Sequence, residues 1–269
     1  MSESLIQIER DAGVVTLSFH DPERRNAMTR AMGEAFSREI AALRREPDLR
    51  AVVLTGAGRA FSAGGDLGML EELATTGAAQ RGLADREIRD TMRSFYGLFL
   101  SVRELACPSV AAINGHAIGA GLCVALACDL RVAARDAKLG LNFTKLAIHP
   151  GMGATWTLPR LVGSARAAEL LYTSRLFSGE EAQAMGLVSQ ALAAEAVLPA
   201  AQALGREIAE CSPIAVSGLK QALARSAGAT LEDQLSFEAA EQATCFQSED
   251  VHEGLAAARE RRAPRFQGR

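Results

Sequence analysis

SVAAINGHAIGAGL (residues 109–122) and VVLTGAGRAFSAGGDL (residues 52–67) decide the fold of this chain. Each stretch begins with a short apolar run typical of a buried strand, passes through a glycine turn and ends in a segment that favours a helix. Backbone N–H groups at the start of a helix have no partner within that helix, and glycine lets a ligand approach them closely. Two such turns facing each other would bind one oxygen atom from both sides.

The composition is that of an ordinary globular protein and argues against several classes of function. The chain has 269 residues and a net charge of −3, from 29 basic and 32 acidic side chains, which disfavours nucleic acid as a partner. Its longest apolar stretch, residues 117–128, is too short to span a bilayer, so we expect no membrane partner. Five cysteines without paired spacing, and an N-terminus without a secretory pattern, predict free thiols and a cytoplasmic location.

Around the two glycine turns, the pattern alternates between strands and helices. A hairpin turning at residues 11–13 comes first, and apolar residues at helical spacing predict a helix around residues 32–43. Residues 75–86 are small and polar and are predicted to form a mobile loop. A long amphipathic helix is predicted over residues 88–105, and a further strand over residues 130–133. Such alternation predicts an α/β fold with a mostly parallel sheet.

The C-terminal third has a different pattern. Ser178 and Glu181 have the spacing of a capping box, and the helix that they begin is predicted to end at Gly186. Beyond it the sequence predicts a short strand at residues 187–189 and then helices only, so we place a boundary near Gln190, between a core at residues 1–190 and a helical region at residues 191–269. That region is rich in alanine and poor in aromatics, so we expect it to pack on the core or on another subunit.

Several segments in a fixed order carry a resemblance to a known family. They are residues 21–28 (DPERRNAM), 56–66, 108–133 and 150–153 (PGMG), followed near the end by Phe246, Ser248, Asp250, Glu253, Gly254, Arg262, Pro264 and Phe266. In this order and spacing, almost the whole chain resembles the crotonase (enoyl-CoA hydratase/isomerase) superfamily. The resemblance implies a crotonase-like spiral of ββα units with a helical C-terminal trimerisation region, in a homotrimer or a dimer of trimers. It also implies an acyl-CoA thioester as ligand, with coenzyme A as part of the substrate and no other cofactor.

Carried over by position, the resemblance assigns two oxyanion donors, the backbone N–H groups of Gly65 and Ala120. Chemistry beside a thioester builds negative charge on the carbonyl oxygen, and two N–H groups stabilise that charge where it develops. Ala120 stands where glycine is commoner, which is tolerable if its φ is negative. The plainer interpretation is that both segments are only tight turns.

The resemblance also implies contacts with coenzyme A. Those along the nucleotide and pantetheine fall on Arg24, Arg25 and Ala27, those on the adenine side on Ala63, Asp66 and Leu67, and Gly119 of the second turn is a further substrate-binding position. Alternatively, the two arginines are ordinary surface charges, and Asp66 caps the helix that begins at Leu67.

The sequence departs from the family pattern at the acid/base positions. Hydratases of this family use two glutamates, and those positions hold Cys123 and, counted back from Pro150, Phe143. Neither side chain can activate water as a carboxylate does. Several isomerases of the superfamily have an aspartate directly after the proline, where this chain has Gly151. The usual base of either reaction is therefore missing.

Two histidines are candidates for moving protons in its place. His149 precedes the Pro-Gly turn and could titrate near neutral pH, although a loop histidine bonded to the backbone is the plainer interpretation. His116 lies near the second glycine turn and is a weaker candidate. His20 and His252 have no neighbours that indicate metal ligation, so no metal is expected.

Three other side chains remain open alternatives. Cys123 could act as a nucleophile towards a thioester or be an inert thiol buried on an apolar helix. Glu71 and Glu72 could reach the acyl pocket from the opposite side or belong to a solvated helix face.

These observations favour an acyl-CoA-processing enzyme, a lyase or isomerase that keeps the enolate-stabilising pair but uses another base. An alternative is a catalytically inactive acyl-CoA-binding paralogue or sensor. A third possibility is a structural or regulatory subunit that acts through its helical C-terminal region.

Overall fold

The computed structural model of the chain describes residues 4–80 and 85–269. Within them the strands are β1 (Ile6–Asp11), β2 (Val14–Phe19), β3 (Ala51–Gly56), β4 (Ala60–Ser62), β5 (Ser109–Ile113), β6 (His116–Ile118), β7 (Leu130–Ala134), β8 (Lys138–Gly140), β9 (Phe177–Ser178) and β10 (Gln190–Leu192). The helices are α1 (Arg30–Leu43), α2 (Leu67–Ala79), α3 (Asp85–Leu100), α4 (Ala120–Ala127), α5 (Ala154–Val162), α6 (Ser164–Thr173), α7 (Gly179–Ala184), α8 (Ala194–Ala209), α9 (Pro213–Ser226), α10 (Leu231–Phe246) and α11 (Glu249–Glu260). None of these helices is long and apolar enough to cross a membrane.

Repeated ββα units build two sheets. The larger sheet has the strand order β1-β2-β3-β5-β7-β10, and the smaller one has the order β4-β6-β8-β9. In the units β3-β4-α2 and β5-β6-α4, the first strand joins the larger sheet and the second joins the smaller one. Strands β2, β3, β5 and β7 pair in parallel, as do β4, β6 and β8. The predicted α/β fold, a crotonase-like spiral of ββα units with C-terminal helices, is therefore confirmed.

The early elements follow the sequence signals closely. The hairpin β1-β2 turns at Ala12 and Gly13, whose φ angles of 47° and 83° are those of a tight primed turn. Thr29 caps α1 by accepting a hydrogen bond from the N–H of Met32 at 3.1 Å. The predicted capping box is present at the start of α7, where Ser178 and Glu181 bond each other's backbone N–H groups.

A cluster of buried phenylalanines fixes the first glycine turn against the larger sheet. The ring of Phe19 on β2 lies 5.4 Å from Phe36 on α1, 5.7 Å from Phe61 on β4 and 6.3 Å from Phe99 on α3, between ring centroids. All residues of α4, which follows the second turn, are buried. Both turns are therefore held by closely packed elements, which keep their backbone in one position.

Two predictions about the middle of the chain are wrong in part. Residues 75–79 belong to α2 and residues 85–86 to α3, so the loop predicted over residues 75–86 is helical at both ends; residues 81–84 lie outside the described residues. The helix predicted over residues 88–105 ends at Leu100 and continues as a 3₁₀ turn over Ser101–Glu104. Small polar residues favour loops only weakly, and here the helix that Asp66 caps continues through them although none of its residues is buried.

The C-terminal helices divide into two groups. Strand β10 pairs in parallel with β7, and α8 packs on β2, β3, β5 and β7 of the larger sheet. Helices α9 and α10 pack mainly on each other, and α10 contacts α11. The expectation of no strand beyond residue 189 is wrong, because residues 190–192 form β10 along the edge strand β7. The boundary near Gln190, which β10 crosses, stays a prediction, as does the role of residues 191–269 in oligomerisation.

Candidate active site

The two glycine turns meet at Gly64. Its φ is +96°, and a Cβ built there would lie 2.5 Å from the carbonyl oxygen of Ile118 and 3.7 Å from the nitrogen of Ala120. The carbonyl of Gly64 accepts a hydrogen bond from the N–H of Met28 at 2.8 Å, and the residue before Ala120, Gly119, donates to the carbonyl of Gly140 at 2.8 Å. Each turn is thus fixed by its own hydrogen bond while touching the other.

The N–H groups of Gly65 and Ala120 remain available beside this contact. Within residues 4–80 and 85–269, neither of them donates a hydrogen bond to a protein atom. Ala120 is the first residue of α4, and the positive φ of 51° falls on Gly119 before it, so alanine is compatible with this position. Two N–H groups on adjoining turns, one at a helix N-terminus, can bind an oxygen atom that carries negative charge.

Gly65 and Ala120 both line a cavity of about 630 Å³. The predicted site residues that line it are Arg24, Arg25, Ala27, Ala63, Gly65, Asp66, Leu67, Gly119, Ala120, Phe143 and His149. The structure therefore brings together side chains from distant parts of the sequence around the two N–H groups. A cavity of this size, largely apolar and with a few convergent polar groups, is typical of a small-molecule site.

Arg24 and Asp66 form an ion pair beside the first glycine turn. Nη2 of Arg24 lies 2.5 Å from Oδ2 of Asp66, and the Arg24 side chain is 54% exposed. The other oxygen of Asp66 accepts a hydrogen bond from the N–H of Met69 at 3.0 Å, so Asp66 does cap α2. Both carboxylate oxygens of Asp66 therefore already have partners within the protein, whereas Arg24 keeps N–H donors that are exposed to solvent.

Asn26 holds the arginine-bearing loop in place, a role that the sequence reasoning missed. Its side chain is fully buried, donates to the carbonyls of Ala57 and Ala60 at 2.9 and 2.8 Å, and accepts from the N–H of Asp21 at 2.9 Å. The hydroxyl of Ser62 donates to the carbonyl of Asn26 at 2.8 Å and accepts from the N–H of Gly64 at 3.1 Å. This chain of hydrogen bonds connects the loop directly to the first glycine turn.

The positions of the missing glutamates differ in their environment. Phe143 lines the cavity with an apolar ring. Cys123 is 2% exposed and lies behind the wall, with its Sγ 3.8 Å from the carbonyl oxygen of Gly151. Burial raises the pKa of the Cys123 thiol to about 12, so it remains a thiol at neutral pH. Of the two interpretations of Cys123, the structure favours the inert buried thiol.

The other candidate acid/base residues differ in their contacts and in whether they line the cavity. His149 is exposed and lines the cavity, with Nδ1 2.8 Å from the carbonyl oxygen of Pro150. A carbonyl only accepts, so this contact assigns the hydrogen to Nδ1 and leaves the lone pair of the neutral ring on Nε2. His116 instead accepts from the N–H of Lys138 at 3.0 Å and does not line the cavity. Glu71 and Glu72 are exposed on α2 and also lie outside the lining.

Charged and metal-binding groups are sparse in the cavity. Of the described residues, the carboxylates in its lining are Glu23 and Asp66, both close to Arg24. The part of the chain that the structure describes holds no group of three His, Cys, Asp or Glu side chains able to bind a metal ion.

Further lining residues had no recognisable signal in the sequence. Tyr96 from α3 and Asn142 from the segment after β8 bring a hydroxyl and an amide, and Met92, Leu146 and Ile148 add apolar surface. A Cβ built on Gly119 would lie 3.0 Å from Oδ1 of Asn142, which places that amide beside the second turn. Helical periodicity marks Tyr96 as one residue of an amphipathic face but cannot show what it faces.

Similarity to known proteins agrees with this geometry. Residues 9–269 match the family model for enoyl-CoA hydratase/isomerase. The chain is 34% identical over 260 residues to 1,2-epoxyphenylacetyl-CoA isomerase of Escherichia coli, covering 96% of this chain and 97% of that protein. It is 36% identical over 261 residues to enoyl-CoA hydratase domain-containing protein 2 of Bos taurus, covering 95% and 85%. A crystal structure of enoyl-CoA hydratase from Bacillus anthracis superposes with a TM-score of 0.90 at 35% identity, covering 98% and 100% of the two chains. The chain therefore belongs to the enoyl-CoA hydratase/isomerase family, in the crotonase superfamily.

Proposed function

We propose that this protein is an enzyme that binds an acyl-CoA thioester in the cavity and stabilises its enolate with the N–H groups of Gly65 and Ala120. The observation that carries the proposal is the meeting of the two glycine turns, which leaves both donors unpaired at the cavity wall. Fixed N–H groups stabilise charge as it develops, without reorganising during the reaction. Removing one such donor typically costs about 10²- to 10³-fold in rate.

The reaction is a lyase or isomerase step through the enolate rather than ordinary hydration. Adding water to a double bond requires groups that hold and deprotonate that water, and Cys123 and Phe143 cannot do so. His149 is the proposed base, because it lines the cavity and carries a lone pair on Nε2. Without acid/base catalysis by carboxylates, crotonyl-CoA hydration should fall about a hundredfold or more below a typical turnover of about 10 per second.

A panel of thioesters tests the proposed function. Purified protein is incubated with enoyl-, β-keto-, malonyl- and aromatic acyl-CoA, and products are identified by mass spectrometry, with His149→Ala and Cys123→Ala in parallel. We expect turnover that survives Cys123→Ala and is lost in His149→Ala. Survival of turnover in both variants would reject His149 as the base. Tight binding without turnover of any thioester would contradict the enzyme and favour a sensor.

The arginine-bearing loop is proposed to bind the coenzyme A part. Arg24 and Arg25 would contact phosphate oxygens, and Ala27, Ala63, Asp66, Leu67 and Gly119 would line the rest of the ligand. The exposed, cavity-lining guanidinium of Arg24 supports this assignment.

Removing the charge of Arg24 should weaken acyl-CoA binding more than it slows the chemical step. For Arg24→Gln we expect KM for an acyl-CoA to rise about tenfold with kcat nearly unchanged, which corresponds to one charge-assisted hydrogen bond. Arg10→Gln is the matched control, because it also breaks an exposed ion pair, with Glu46, but lies away from the cavity. Steady-state kinetics at low and moderate salt would measure both, and equal KM values for the two variants would contradict the assignment.

We also propose that the chain forms a homotrimer or a dimer of trimers in a reducing cytoplasm. Support comes from large apolar side chains that are at least half exposed on the C-terminal helices, namely Leu219, Leu223, Leu231, Leu235, Phe246 and Leu255, and from five free thiols. Sedimentation at micromolar concentration should give the mass of three or six chains, whereas a monomer would contradict the assembly.

A further inference from the structure

The phenol of Tyr96 occupies the space beside Gly151. Tyr96 lies on α3, is partly buried and lines the cavity. A Cβ built on Gly151 would lie 2.7 Å from Cζ of Tyr96 and even closer to Oη. A side chain at position 151 and this phenol therefore exclude each other, and the glycine is what allows the phenol to sit there.

The same glycine also contacts the Cys123 thiol. The Sγ of Cys123 lies 3.8 Å from the carbonyl oxygen of Gly151, on the side of α4. Cys123 is three residues after Ala120, about 4.5 Å along the helix axis at about 1.5 Å per residue. The Tyr96 phenol is thus next to the part of the wall that lies one helical turn beyond the oxyanion donor. If the thioester oxygen binds at the Gly65 and Ala120 N–H groups as proposed, the first carbons of the acyl chain lie near this part of the wall.

Tyr96 is protonated and has a free donor. Burial, and to a lesser extent the Cys123 thiol, raise the pKa of Tyr96 above its ordinary value, so at neutral pH the group is a phenol. Within the described ranges its hydroxyl makes no hydrogen bond to a protein atom, although Tyr96 lines the cavity. A neutral phenol can donate a proton but cannot act as a base, which complements the lone pair on His149.

We propose that Tyr96 is the proton donor to the thioester enolate, in place of the absent carboxylates. The inference rests on the proposed function. His149 Nε2 removes the α-proton, and the electrons of that C–H bond form the enolate held by Gly65 and Ala120. The enolate electrons then form a new C–H bond with the phenol proton, the O–H pair stays on oxygen as phenolate, and the thioester carbonyl is restored. The proton on His149 returns to the phenolate through cavity water, so no external reactant is consumed.

Deuterium exchange tests the donor directly. Butyryl-CoA and phenylacetyl-CoA are incubated with protein in D₂O, and α-deuterium is counted by mass spectrometry. Tyr96→Phe removes only the hydroxyl, and Tyr172→Phe is the control, because the chain has two tyrosines and Tyr172 is 81% exposed. We expect the exchange rate to fall at least about a hundredfold in Tyr96→Phe and to be unchanged in Tyr172→Phe.

Binding of both thioesters, measured by titration, shows whether the fold and the cavity are retained. We expect Kd to change by less than about twofold in Tyr96→Phe, since the lost group acts on the reacting carbon. Exchange in Tyr96→Phe within about threefold of wild type would overturn the proton donor while leaving the proposed function intact. A wild-type protein that binds both thioesters but exchanges neither would overturn the proposed function and this inference together.

Discussion

Ala120→Pro should lower the rate of acyl-CoA turnover by about 10²- to 10³-fold, because it deletes one of the two proposed oxyanion donors. Proline has no backbone N–H, and its Cδ would project to where the thioester oxygen is proposed to bind. The fold should tolerate the change, since Ala120 is the first residue of α4, the helix position that proline prefers. The preceding residue, Gly119, has φ 51° and ψ −118°. This is the mirror image of the extended conformation that proline favours in the residue before it, and glycine can adopt it before proline because it has no Cβ.

Ala120→Gly is the matched control for the lost donor. It changes the side chain at the same position but keeps the N–H, so its turnover should stay within about tenfold of wild type. Thermal unfolding of both variants shows whether the fold is retained. Proline and glycine variants of equal activity would mean that the Ala120 N–H takes no part in the reaction.

The second large effect is expected at Gly64. In Gly64→Ala, a side chain would have to adopt φ +96° with its Cβ 2.5 Å from the carbonyl oxygen of Ile118. Left-handed strain and backbone collision together should lower the free energy of unfolding by about 3 kcal/mol. Moving the Gly65 N–H by as little as about 1 Å should in addition reduce turnover about a hundredfold.

The Gly163→Ala variant separates the effect of backbone strain at positive φ from the effect of a steric collision. Gly163 has a similar φ of +80°, but a Cβ there would meet nothing within 4 Å among the described residues. We expect it to lose about 1 kcal/mol of unfolding free energy and to keep full activity. Denaturant unfolding and kinetics of both variants provide the measurement. If the two glycine variants behaved alike, the meeting of the two turns would not be what positions the donors.

The fold was predictable because its signals are local. The apolar runs at residues 52–54 and 109–113, each followed by glycines, are compatible with little else than buried strands and tight turns. Thr29 and Ser178 begin helices through hydrogen bonds within three residues, so their caps are readable without tertiary structure. Composition misled the prediction at residues 75–79, where small and polar residues continue the exposed helix α2 that begins at the Asp66 cap.

Sequence reasoning could predict only the backbone donors of the site and the residues at positions that match the family pattern. Gly65, Ala120 and His149 line the cavity as expected, because the turns that carry them are local. Tyr96 could not be found in this way, since it is 55 residues from Gly151 along the chain and its role depends on how α3 packs on the cavity wall. Asn26 was hidden for the same reason: the carbonyls of Ala57 and Ala60, to which its side chain donates, lie more than 30 residues away.

Formation of the enolate can be measured on the wild-type protein by following α-deuterium incorporation into phenylacetyl-CoA in D₂O, with Ala120→Pro in parallel. We expect wild-type protein to label the α-carbon well above the rate without protein, and the proline variant to lose about 10²-fold or more of that rate. Labelling by both proteins at the same rate would contradict stabilisation of the enolate by these N–H groups. A thioester that binds wild-type protein and stays unlabelled would contradict the enolate itself.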